Sequence, residues 1–132
     1  MVSAIEKSAA KNRPREDIKV VFDHELTNVP GKSIIGLHLN YPPNGFTPPH
    51  RHGGATVVAY VMGGELLSGM NGNPPKVYKP GETFIELPGC HHTVGENPNE
   101  TESAQAIAIL VVDTEVVKTG GYEALTVLDE GW

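Results

Sequence analysis

From Ile18 onward, short runs of β-branched and aliphatic residues alternate with glycine- and proline-bearing turns. Runs of this kind, four to ten residues long and bounded by turn residues, read as strands of a sandwich or barrel rather than as βαβ units. The pattern predicts strands over 18–22, 32–41, 49–52, 55–62, 65–70, 76–79, 82–86, 91–96, 103–113 and 122–128. Asn71-Gly72-Asn73-Pro74, Pro80-Gly81 and Pro88-Gly89 mark turns, because proline presets φ and glycine accepts positive φ. Apart from a weak helical turn over 2–10, no segment keeps a helical period. The expectation is an all-β chain.

With 132 residues, one domain is expected, large enough to bury a core without staples. Residues 1–15 are polar and read as a peripheral segment, leaving 16–132 as one barrel domain. A single cysteine, Cys90, rules out an internal disulfide and a thiolate zinc cluster. Neither an apolar leader nor a run long enough to span a bilayer is present, so a reduced, cytoplasmic setting without a membrane partner is expected. The net charge of −6, with no basic cluster beyond Lys11, Arg13 and Arg15, argues against nucleic acid as a partner.

Six histidines stand beside three phenylalanines and one tryptophan, and five of the six lie between positions 38 and 92. Residues i and i+2 of a strand share a face, so His50 and His52 project together while Arg51 turns away. Two neutral imidazoles on one face can grip a cation through their nitrogen lone pairs. They can equally be surface histidines, and the pair alone leaves both readings open.

A second block, Gly81 to His92, changes the weighting. Together the two blocks resemble the paired motifs of the cupin superfamily. Gly45, His50, His52 and Gly64 fall at the places of the first motif, and Gly81, Gly89 and His92 at those of the second, with Asn97 one residue late. The resemblance covers residues 36–113 and implies a single-domain, jelly-roll-like antiparallel β-barrel. It implies that His50, His52 and His92 are the ligands of one divalent metal ion. His91 is then expected to face the other way.

Two positions depart from the family pattern. Leu87 stands for a proline, and the family's metal-binding glutamate falls on Val57 or Thr56, neither of them a good ligand. A neutral three-histidine site is therefore expected, similar to that of cysteine dioxygenase and diketone-cleaving cupins, with Glu82 and Glu86 solvated. Such a site leaves coordination positions open. Imidazole does not choose the metal: iron suits an oxygenase best, and zinc, manganese, nickel or copper also fit.

If Val57 faces inward, Ala59 and Val61 follow it and make a small apolar pocket wall, while Tyr60 turns away into core packing. His38, Asn40 and Gln105 are the candidate inward polar groups, His38 as either a general acid or base or a buried structural histidine. Cys90 lacks a well-placed base and is not expected to be catalytic.

Three functions are compatible with this reading. The foremost is a metal-dependent oxygenase acting on a small enolisable or aromatic compound. A non-redox lyase, isomerase or cyclase would use the metal as a Lewis acid. A non-catalytic module would hold a metal or small molecule without turnover. The family further implies a homodimer, with the C-terminal segment ending in Trp132 as a candidate donor strand.

Overall fold

The computed structural model describes residues 12–132, so the helical turn expected over 2–10 lies outside the described residues. Two antiparallel sheets face each other. The first has the order β1 (Asp17–Glu25), β2 (Lys32–Tyr41), β10 (Ala104–Asp113), β5 (Thr56–Gly63) and β8 (Thr83–Glu86). The second runs β11 (Val127–Leu128), β4 (His50–Arg51), β9 (His92–Glu96), β6 (Leu66–Met70) and β7 (Lys76–Tyr78), with β3 (Phe46–Thr47) paired to β9. This is the expected all-β jelly roll.

Alternation along the strands builds the interior. On β10, Ala104, Ala106, Ala108, Leu110 and Val112 are buried while Gln105 and Asp113 are exposed. On β5, Val57, Ala59 and Val61 are buried while Val58, Tyr60 and Met62 are exposed. Tyr60 therefore stands on the outer face and not in the core, because it shares its phase with Val58 and Met62. One core cluster joins Ile35, Leu37, Val57, Leu110 and Leu125, and a second joins Tyr41, Val61, Leu66, Ala104 and Ala106. The small residues Ala59, Ala106 and Ala108 leave a chamber between the sheets.

Two elements differ from the expected pattern. An α-helix, α1 (Thr114–Gly120), follows β10, and a 3-10 helix (Tyr122–Leu125) replaces most of the strand expected over 122–128. The β-branched pair Val116-Val117 masks the helix in the sequence, yet both side chains pack on the core. Ser33 and Thr114 share a hydroxyl contact of 2.8 Å that fixes where the helix leaves the sheet. The C-terminal segment pairs within its own chain: Val127–Leu128 lie against His50–Arg51, and Trp132 meets Phe46 edge-on.

Residues 13–15 also lie against the barrel. Arg13 makes an ion pair with Glu96, and Arg15 bridges Phe46. Gly64 turns the chain after β5 at φ +69°, where a Cβ would fall 2.6 Å from the Ser103 carbonyl oxygen. Only glycine fits there. Asn97 is a fully buried staple: its amide donates to the carbonyls of Tyr41, Pro42 and Glu102, and its oxygen accepts from the Asn99 amide.

Candidate metal centre

Four side chains converge on one point between the sheets: His50, His52, Glu86 and His92, each offering one ligand atom within 4.8 Å of the others. His50 comes from β4 and His92 from its pairing partner β9, where the two residues sit directly opposite each other. His52 follows β4 by one turn of alternation. Glu86 enters from the facing sheet, at the end of β8.

Hydrogen bonds outside the cluster fix the tautomers. His50 donates Nδ1–H to the Pro48 carbonyl at 2.7 Å, and His52 donates Nδ1–H to the Leu125 carbonyl at 2.8 Å. Each is left with an Nε2 lone pair, and these two nitrogens lie 3.1 Å apart. His92 places Nε2 against the Ser68 hydroxyl at 2.8 Å and turns Nδ1 toward His50 Nε2 at 3.2 Å. Second-sphere partners of this kind are how proteins orient metal-binding imidazoles.

Glu86 Oε1 completes the set, 3.1 Å from His52 Nε2 and 3.2 Å from His92 Nδ1. It is a buried oxygen that faces these two imidazoles. Four acceptor atoms crowded together in a dry interior repel one another unless a shared cation sits among them. Adjacent ligand atoms about 2.0–2.2 Å from an ion lie near 3 Å from each other, the separation found here for four of the six pairs. The residues fit a single metal ion.

Charge at the cluster follows from burial. Burial first, then the neighbouring His52 and His92, pushes His50 down to about 3. Burial also lowers His92, with Glu86 opposing. For His52 burial again disfavours the charge, but the hydrogen bond and charge of Glu86 and the Leu125 carbonyl outweigh it, and its pKa rises. Burial likewise works against the Glu86 carboxylate, yet His52 and the other imidazoles bring its pKa below the ordinary value. Of the three imidazoles, His52 is the one whose surroundings favour a proton in the metal-free chain. A metal ion held there would compete with that proton.

The expectation of a neutral triad and a solvated Glu86 is thus corrected: Glu86 is 3% exposed and joins the cluster. Its partner across the β5–β8 ladder is Val57, the position where the family's glutamate is missing. The one sequence-level hint was a glutamate closing an otherwise apolar run six residues before His92.

The chamber beside the cluster is about 50 Å³, room for roughly three to five water-sized groups. Leu37, Leu39, Val57, Ala59, Phe84 and Ala106 are among its apolar walls. Val61 is buried on the same face of β5 and packs in the second core cluster, but is not among the chamber's lining residues. His38 and Asn40 do not reach it, because Leu37, Leu39 and Tyr41 occupy the inward phase of β2. Gln105 is exposed on β10, opposite Asn40. His38 therefore has no place in the chemistry of this chamber. Polar groups that do line it, and that the sequence did not single out, are Glu16, Tyr41, Thr47, Ser68, Glu96 and Thr126.

His91 points away from the cluster and pairs with Asp129 at 2.8 Å. The Cys90 thiol is pushed up, chiefly by burial, which leaves it a poor nucleophile.

Fold and cluster together define a metal-binding protein built on a two-sheet β-barrel. Residues 37–112 match the family model for the cupin domain, and the chain belongs to that family. It is 36% identical over 116 residues to germin-like protein 8-6 of Oryza sativa subsp. japonica, covering 79% of this chain and 51% of that protein. It is 32% identical over 108 residues to oxalate oxidase GF-3.8 of Triticum aestivum, covering 74% of this chain and 48% of that one. The chain spans about half the length of these curated relatives. Among solved structures, a cupin domain from Bordetella pertussis Tohama I superposes with a TM-score of 0.60 at 24% identity, over 76% of this chain and 97% of that one. An oxalate oxidase in complex with glycolate gives 0.56 at 25% identity, over 80% and 58%. Among the described residues, no helix is long and apolar enough to cross a membrane.

Proposed function

We propose that the chain is a metal-dependent oxygenase acting on a small enolisable molecule that chelates the metal through two oxygen atoms. The observation that carries this reading is the convergence of His50, His52, Glu86 and His92 on one edge of a small apolar chamber. Four protein ligands leave two positions of an octahedron free. A divalent ion bound there supplies a Lewis-acid centre and, if it is iron, a redox partner for dioxygen.

The chain's own residues set the rest. Glu86 removes one unit of charge, so a divalent site keeps a single net positive charge and still attracts an enolate or carboxylate. Leu37, Val57, Phe84 and Ala106 exclude water around it. A chamber of about 50 Å³ is a third of the roughly 150 Å³ cavity that accommodates benzene, which favours the enolisable class over the aromatic one. Similarity to oxalate oxidases over about half their length supports oxidative chemistry on a small oxygen-rich acid. The lyase or isomerase reading loses its acid–base candidate, since His38 lies on the outer face.

The test is metal reconstitution followed by oxygen-electrode measurements on 2-oxo acids, 1,3-diketones and oxalate. Oxygen uptake that needs iron or manganese and fails in His92→Ala is the expected result. Turnover with zinc and no oxygen uptake would replace this reading with Lewis-acid catalysis. Metal binding with no turnover at all would leave a binding module.

A homodimer is part of the same proposal. Its support comes from the outer face of the first sheet, where Val58, Tyr60, Met62 and Ile85 are exposed together, and not from the C-terminal segment.

A further inference from the structure

β1 and β11 are edge strands of opposite sheets, and they are not paired with each other. The barrel is therefore open along the seam between them. On the outside of this seam lies a groove of about 320 Å³, walled by Ile18, Val20, Tyr122 and Leu128 with Arg15 and Glu123 at its sides. Chamber and groove share Glu16, Ile18, Leu37 and Thr126. The inner space is small and ends at the metal ligands, whereas the outer space is several times larger and opens to solvent.

The groove's walls are apolar and held in place. Ile18 and Tyr122 are 41% and 44% exposed. The Tyr122 hydroxyl donates to Asp23 at 2.7 Å, which fixes the ring as a wall. At the neck, the Glu16 side chain is 2% exposed and its two oxygens each accept from Arg15 at 3.2 Å. That pairing neutralises the carboxylate where an anion would have to pass. An apolar trough that shares wall residues with a metal chamber gains free energy when a hydrocarbon covers it.

We infer that the substrate is a chelating acid with an aliphatic tail, its oxygen-bearing head at the metal and its tail leaving through the β1–β11 seam into the outer groove. This inference rests on the proposed reading of the metal centre and names its substrate class. A head of a few atoms fills the chamber. The tail then covers Ile18, Leu128 and the Tyr122 ring.

The experiment uses the cobalt(II)-loaded protein, whose visible absorption reports on changes in coordination. It is titrated with straight-chain 2-oxo acids from pyruvate to 2-oxooctanoate. Each added methylene that enters the groove should tighten binding about fourfold, until the trough is full. Leu128→Gln should flatten this dependence while leaving pyruvate affinity and cobalt content unchanged. Tyr122→Lys, at an exposed position of the 3-10 helix, provides the same comparison if Leu128→Gln does not fold. Pyruvate binding with no dependence on chain length would overturn the tail and leave the metal reading intact. Cobalt binding with no spectral response to any acid would overturn the reading of the metal centre, and the tail with it.

Discussion

Val57 and Glu86 are directly opposed across the β5–β8 ladder, with both side chains turned into the barrel. The carboxylate absent from the first histidine motif is thereby supplied from the next strand, at the same depth. Opposed residues of an antiparallel pair have Cβ atoms about 4.5–5.5 Å apart, a span that a glutamate side chain bridges. The ligand has moved one strand sideways.

This exchange predicts rescue. Glu86→Val should lower metal affinity by about a hundredfold, the upper end of the tenfold to hundredfold typical of losing a second-sphere partner. Adding Val57→Glu to that variant should recover at least a tenfold of the loss, because the new carboxylate starts from the opposing rung. Competition with a chromophoric chelator measures both. No recovery in the double variant, with the β fold intact by circular dichroism, would show that position 57 cannot reach the ion.

His92 and Ser68 form the second test. His92→Ala should lower bound metal several-fold without loss of the β spectrum, if the ring acts as a ligand of the His50, His52, Glu86 and His92 cluster. Ser68→Ala leaves the ring in place but removes the hydroxyl that holds its Nε2 at 2.8 Å. Its effect should be the smaller of the two, about tenfold in metal affinity and too little to empty the site at saturating metal. Metal content measured by atomic absorption after gel filtration separates the two, and unchanged content in His92→Ala would remove the site.

How far the sequence led depends on which contacts are local. His50 and His52 share a face because strand alternation demands it, and the spacing around His92 carried the family pattern, so these ligands were legible. Glu86 was not. Its place depends on the register of β8 against β5, which involves residues about thirty positions apart. The two readings of His38 stayed open for a different reason. Both phases of β2 are largely apolar, with Ile34, Gly36 and His38 on one face and Ile35, Leu37 and Leu39 on the other. Alternation alone could not say which phase faced the chamber. The helix α1 was hidden because Val116 and Val117 read as strand residues until they are packed on the core.

Asn97 predicts a purely structural effect. Its side chain satisfies three carbonyls and one amide from inside a loop with almost no solvent access. Asn97→Ala leaves those groups without partners and should cost about 2–4 kcal/mol. A lower urea midpoint with metal affinity per folded molecule unchanged is the expected result. A parallel loss of affinity in the folded fraction would show that this loop also positions His92.

The metal-free protein should be most stable near neutrality and weaken on both sides. On the acid side, His50 keeps its folded pKa at about 3 against an ordinary 6.5, so the unfolded chain binds a proton that the folded chain refuses. Stability is then lost as pH falls from 6.5 toward 3. His92, also lowered, acts in the same direction. Glu86, held below its ordinary 4.5, stabilises the fold above that value, and its contribution disappears as pH falls through the folded pKa. On the alkaline side the sign reverses at His52, whose raised pKa stabilises the fold below 6.5 and ceases to do so as pH rises through the folded value. A bound cation takes the place of the His52 proton, so metal loading should abolish the alkaline decline and leave the acid limb, where protons compete for the ligands. Urea unfolding of both forms from pH 4 to 9 measures this. An alkaline decline that persists undiminished in the loaded protein would mean that the ion does not take over the pairing of His52 with Glu86.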